Sequence, residues 1–327
     1  MTPTRRQLMG STLALFALAA TAPRIALAQA RPVRIGVLTP RHPSLLFPAV
    51  LKRLSALGYV EGKNLVLEYR STEGVIERFP LLARELILAK CDLIFAVGTD
   101  HAARAMLEAK VGVPVVILAN DYDPVRAGVV SNLRRPGGNV TGMVNPEAQI
   151  AAKRVELMRE MMPKLKRFLL LADPFCKEQV EDIHRAAERL RVEIVTETFA
   201  ALPYDFESAF ARGRAAGIEA VNVPTSPNFL NQRKRISEQL MKHRLPAVAF
   251  TFVIEEPGFL IGYGINSATA FVRAGDIAAS ILKGANPGDI AVEQVTEFEL
   301  VVNLKTAKAL GISIPQSIAV RADRAIE

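Results

Sequence analysis

The chain of 327 residues contains no tryptophan and only 6% aromatic residues. Base-stacking platforms are built from aromatic side chains, so this scarcity speaks against a nucleic-acid-binding surface. The formal net charge of +8 does not restore that reading. Arg5, Arg6 and Arg24 stand in residues 1–30, which hold no acid, and without them the excess falls by three to +5, spread along the sequence. Cysteine is nearly absent. Cys91 and Cys176 fall in different halves of the chain and are expected to be free, buried thiols, and no Cys-x-x-Cys pair or Cys/His cluster offers a metal site. No apolar run reaches the ~20 residues that a membrane-spanning helix needs.

Enzyme signatures are missing as well. There is no GxSxG elbow, HExxH helix, phosphate-binding GxxxxGK loop or EF-hand loop. Gly262-Tyr263-Gly264 opens a GxGxx string, but Ser267 stands where the third glycine belongs, so these glycines are read as a crossover between halves. No cofactor is expected. The four histidines lie far apart; His184 and His243 sit on charged helices, while His42 and His101 fall in or next to strand-exit loops.

What is present begins with a leader. Thr4-Arg5-Arg6-Gln7-Leu8 resembles the twin-arginine export signature, Leu13 to Ala22 is a short apolar core, and Ala26-Leu27-Ala28 or Ala28-Gln29-Ala30 supplies small residues for cleavage. Residues 1–30 are therefore expected to be a signal peptide, with the mature protein in the periplasm. Beyond it, 50% apolar and 23% charged residues describe a globular chain too long for one core.

Short β-branched runs alternate with helical spacing along the chain. Strands are expected at 33–38, 65–69, 93–97 and 115–118, with helices at 45–57, 76–89 and 101–109 between them. Pro136-Gly137-Gly138-Asn139 breaks the pattern, a longer helix follows from Asn145 to Met162, and the alternation restarts. Strands then fall at 168–171, 193–198, 220–223 and 247–250, with a late helix at 268–282 and a strand at 298–304 completing one half each. The fold class is α/β, with two Rossmann-like lobes of parallel sheet joined by hinge crossovers. The expected division is 31–142 with about 255–288 in lobe 1, and 143–254 with about 289–327 in lobe 2.

The strand-exit loops repeat one chemistry: Thr39-Pro40-Arg41, Gly98-Thr99-Asp100, Asn120 to Asp123, Asp173-Pro174, Thr225-Ser226 and Thr251-Phe252. Singly, such residues serve as helix caps and turns. As a set they suit reversible binding of a small polar molecule between the lobes. A solute of both signs, like an amino acid, fits best, with its carboxylate at the Thr99 turn and its ammonium at Asp123 or Asp100. The candidate ligand-binding residues are Thr39, Gly98, Thr99, Asn120, Asp123, Asp173, Thr225, Ser226 and Phe252, with no catalytic or metal-binding residue.

At these same loops the chain resembles the tryptophan/tyrosine-type substrate-binding proteins of ABC transporters. LGYVEGKNLVLEYR, DPVRAGVVSNLRRPGGNVTGM, ILKGANPGDI and FELVVNLKTAKALGISIP carry the likeness, over nearly the whole mature chain. The resemblance implies a type-1 periplasmic binding fold, a monomer that closes on a solute, and delivery to an ABC permease and its ATPase. It also implies solute contacts at Thr39, Thr99, Asn120, Asp123, Asp173 and Thr225. Two other classes stay open: a ligand-sensing subunit for a receptor kinase, and an exported enzyme using cleft carboxylates.

Overall fold

The computed structural model describes residues 31–41, 47–266 and 271–327. The leader, His42, Ser267 and the first residues of the helices expected from 45 and 268 lie outside the described residues. Residues 33–327 form one compact unit.

Two sheets organise it. In the first, β1 (Val33–Thr39), β2 (Leu65–Ser71), β3 (Leu93–Gly98), β4 (Val115–Asn120), β5 (Val140–Asn145) and the short β11 (Glu293–Gln294) lie in the order β11-β5-β4-β3-β1-β2. Every pairing in it is parallel, with Ile35 opposite Leu93 and Ile94 opposite Val115. The second sheet holds β6 (Arg167–Ala172), β7 (Glu193–Thr198), β8 (Ala220–Val223), β9 (Ala247–Ala249), β10 (Phe259–Ile265), β12 (Phe298–Asn303) and β13 (Arg324–Ile326), in the order β13-β12-β10-β9-β8-β6-β7. Only β10 and β12 run antiparallel among its described pairs. The path 2-1-3-4-5 is thus walked twice, which is a doubly wound order in each half.

The strands are apolar without alternation because helices cover both faces. On the first sheet, α1 (Phe47–Ala56) packs one face with Phe47, Val50 and Leu54, while α2 (Phe79–Leu88) and α3 (Asp100–Glu108) pack the other with Phe79, Leu86 and Met106. On the second, α4 (Glu147–Met161) and α5 (Lys177–Leu190) supply Val155, Met158 and Ile183 to one face. The other receives Phe206 and Phe210 from α6 (Phe206–Ala215), Phe229 from α7 (Pro227–Asn231), and Ile236 and Leu240 from α8 (Arg233–His243). Helix α9 (Val272–Leu282) returns to the first sheet, placing Ala274, Ile277 and Ala278 in the cluster that holds α1. Cys91 and Cys176 are free and buried.

Two glycine-bearing segments differ from the sequence reading in an instructive way. Residues 140–145, between the Pro136–Asn139 break and the helix expected from Asn145, form β5, and α4 starts at Glu147 rather than Asn145. Gly142 conceals this strand: its φ is +142°, and a Cβ there would lie 2.1 Å from the Ile117 carbonyl oxygen of β4. Only a glycine permits so close a pairing. Gly262-Tyr263-Gly264 is likewise no crossover but the middle of β10. Gly262 is small because the Ile254 side chain and Thr251 backbone press on it, 3.2 and 3.3 Å from where a Cβ would stand.

It follows that 259–265, expected with the first lobe, lies inside the second sheet between β9 and β12, and that 293–294, expected with the second lobe, edges the first. The chain passes between halves at three places: at Pro146, between β10 and α9, and between β11 and β12.

Candidate functional site

In a doubly wound sheet, loops diverge where strand order reverses, leaving a crevice at the carboxyl ends. Here the reversals fall between β1 and β3 and between β6 and β8, and the two crevices face each other. A cavity of about 260 Å³ lies between them. Its polar lining includes Thr39, Asn120, Asn145, Glu147, Thr225 and Ser226. Its apolar lining includes Val97, Leu118, Met143, Leu230 and three aromatic rings, Phe250, Phe252 and Phe271. Arg41 and Arg233 also line the same space.

Of the residues expected from the sequence, Thr39, Gly98, Asn120, Thr225, Ser226 and Phe252 line this cavity. Gly98 ends β3 at φ +107° and turns the chain into α3. Thr99, Asp123 and Asp173 lie outside the lining. Thr99 occupies the N-cap position of α3 without a side-chain cap bond; its Oγ1 lies 3.0 Å from His101 Nδ1 instead. Asp123 is exposed, and its Oδ1 accepts the backbone N–H groups of Val125 and Arg126 at 2.8 and 3.2 Å.

Asp173 is buried behind the cavity wall. Its Oδ2 accepts Ser226 Oγ at 2.5 Å and Tyr204 Oη at 3.1 Å, and burial pushes its pKa upward against the pull of these bonds. Tyr204 Oη also accepts Asn228 Nδ2 at 2.8 Å, which fixes the amide of Asn228. Asp173 thus shapes the wall through Ser226 and Asn228.

A buried cluster joins Thr225 and Asn120 to three residues the sequence reading missed, Asn145, Glu147 and Arg154. Arg154 on α4 is fully buried; its Nε donates to the Tyr263 carbonyl at 2.7 Å, and its Nη2 donates to Glu147 Oε2 and Thr225 Oγ1, both at 3.1 Å. Thr225 Oγ1 in turn donates to Glu147 Oε2 at 2.7 Å, and Asn145 Nδ2 donates to Glu147 Oε1 at 2.7 Å and to Asn120 Oδ1 at 2.9 Å. Burial lowers the Arg154 pKa, and the Glu147 carboxylate opposes that shift. The Asn145 Oδ1 and Arg154 Nη1 atoms are buried without a hydrogen-bond partner. The signal was present in the sequence: Arg154 interrupts the apolar stripe Ile150, Ala151, Val155, Met158 of α4, where a cation needs a buried partner.

The halves are drawn together over this cavity. Arg41 Nε of the first donates to Asn228 Oδ1 of the second at 2.9 Å. On another side the Gln179 N–H of α5 donates to Asp121 Oδ1 at 3.0 Å, and Arg126 Nη2 donates to Glu178 Oε1 at 3.2 Å. Phe175, carried by the loop between β6 and α5, is buried in the first half's cluster with Ala102, Ala103 and Tyr122. Among the described residues, no group of three His, Cys, Asp or Glu side chains could hold a metal ion, and no helix is long and apolar enough to cross a membrane.

Known proteins share this architecture. The family model described as ABC transporter substrate binding protein matches residues 35–326. A tyrosine-binding protein of Clostridioides difficile is 28% identical over 275 residues, covering 82% of this chain and 78% of that protein. Among solved structures, a conserved domain protein from Vibrio cholerae superposes with a TM-score of 0.79 at 25% identity, over 90% of this chain and 100% of that one. An ABC domain from Streptococcus pneumoniae in complex with L-Trp gives 0.78 at 26% identity, over the same shares of the two chains. With its family model spanning nearly all of the described residues, the chain belongs to the ABC transporter substrate binding protein family.

Proposed function

We propose that this protein captures an amino acid with an apolar or aromatic side chain between its halves and hands it to an ABC permease and ATPase. The observation that carries the reading is the mixed lining of the cavity. Phe250, Phe252 and Phe271 suit an apolar side chain, while Glu147, the unpartnered Asn145 Oδ1 and the Arg41 guanidinium suit an ammonium and a carboxylate. At about 260 Å³ the space suits a single small solute. The likeness to a tyrosine-binding protein and to an L-Trp complex supports the same class.

In this reading the leader at 1–30 exports the chain, which works in the periplasm as a monomer without a cofactor. Catalysis has no place in it. Glu147 is held by Arg154, Thr225 and Asn145, and Asp173 by Ser226 and Tyr204, so neither is presented as a free acid or base.

Calorimetric titration with L-tryptophan and L-tyrosine tests the reading, and X-ray scattering is expected to show a smaller radius of gyration when the bound form closes. Phe252→Ala removes a ring from the wall and is expected to weaken binding roughly tenfold to over a hundredfold, since burying such a side chain is worth about 1.5–3 kcal/mol. Absence of heat with every proteinogenic amino acid would overturn the amino-acid reading.

A further inference from the structure

We propose that closing the cleft takes up one proton, held on the Asp121 carboxyl where the first half docks on helix α5 of the second. The inference builds on the solute-capture reading in taking the cleft to open and close. Its basis is a count of charges in the interface. Asp121 leaves β4 in a left-handed backbone conformation, φ +63°, and is 6% exposed. Its Oδ1 accepts the Gln179 N–H, from the first turn of α5, at 3.0 Å. That cover belongs to the other half, so opening the cleft returns the carboxyl to water.

The charged and titratable groups around Asp121 are Glu147 and Arg154 of α4, Glu178 of α5, and Cys176 just before it. Arg154 is the one cation among them, and it is committed to Glu147 through Nη2. Arg126 answers Glu178 from the rim. Asp121 is therefore left without a cation of its own, buried beside two other carboxyls. An uncompensated buried carboxylate is costly, and protonation is the cheaper outcome.

Burial first, then Glu147 and Glu178, push its pKa up to about 9, and the Gln179 bonds oppose them only in part. An exposed aspartate titrates near ~3.9. Between these values the closed form holds one more proton than the open form. Closure is therefore favoured in acid and weakens as pH rises through that window.

The experiment is titration of wild type and Asp121→Asn near neutral pH with L-tryptophan or L-tyrosine, whichever binds, in two buffers of different ionisation enthalpy. Asparagine keeps an acceptor for the Gln179 N–H, tolerates the left-handed backbone and carries no charge. Wild type is expected to take up close to one proton per solute bound. Its affinity should fall by up to about tenfold per pH unit within the window. The variant should take up none and show a flat profile.

Binding heat that is independent of buffer, or uptake retained in Asp121→Asn, overturns the inference while leaving solute capture intact. If no amino acid binds, solute capture itself fails, and scattering without solute decides the proton question. A radius of gyration that rises with pH in wild type and not in the variant supports the proposal; unchanged scattering in both overturns it.

Discussion

Phe175→Ala is expected to leave both halves folded and to weaken solute capture by roughly a hundredfold or more. The ring is 1% exposed, yet the loop that carries it belongs to the second half and the cluster that receives it belongs to the first. Removing a buried phenylalanine costs about 3–5 kcal/mol. Here the cost falls on the closed arrangement, because opening withdraws the ring from its socket in either case. Affinity therefore drops while the unfolding midpoint of the solute-free protein moves little. Titration beside a melting curve separates the two quantities. Unchanged affinity with a large loss of stability would make the ring part of a permanent core instead.

Arg154→Met is expected to act the opposite way, on the fold itself, by about 3–5 kcal/mol in denaturant unfolding. The guanidinium is fully buried, and three partners, Glu147, Thr225 and the Tyr263 carbonyl, converge on it. Methionine fills much of its volume, so the loss reflects the stranded Glu147 carboxylate more than a cavity. Adding Glu147→Leu should recover most of the loss, because a buried pair replaced on both sides by apolar residues is often neutral. A single-variant loss under about 1 kcal/mol would mean that water reaches Glu147 readily.

Much of this architecture was legible in the chain. Runs such as Leu93–Val97 and Val115–Leu118 have no polar alternation, which only a sheet covered on both faces explains, and both are strands of the first sheet. Two of the strands that hid, β5 and β10, have glycine inside them; the other two, β11 and β13, are only two and three residues long. Gly142 and Gly262 look like breakers in a one-dimensional reading, yet each is there because a neighbour comes too close for a Cβ. For Gly142 that neighbour, Ile117, is remote in sequence, and for Gly262 it is the turn that precedes the strand, so neither shows as a periodic pattern. The same holds for the cavity. Thr39, Gly98, Asn120 and Thr225 could be found because strand ends converge on a crevice. Glu147 could not, because its importance comes from Arg154 and Thr225, brought to it by different elements.

The order in which the elements leave the ribosome also matters. The apolar face of α1, with Phe47, Val50 and Leu54, is covered by α9, which is made only after the entire strand path of the second half through β10. A nascent chain therefore carries an uncovered greasy flank through much of its synthesis, a natural grip for holdase chaperones. A stop codon placed anywhere from β6 to β10 would leave neither a finished first half nor a finished second one.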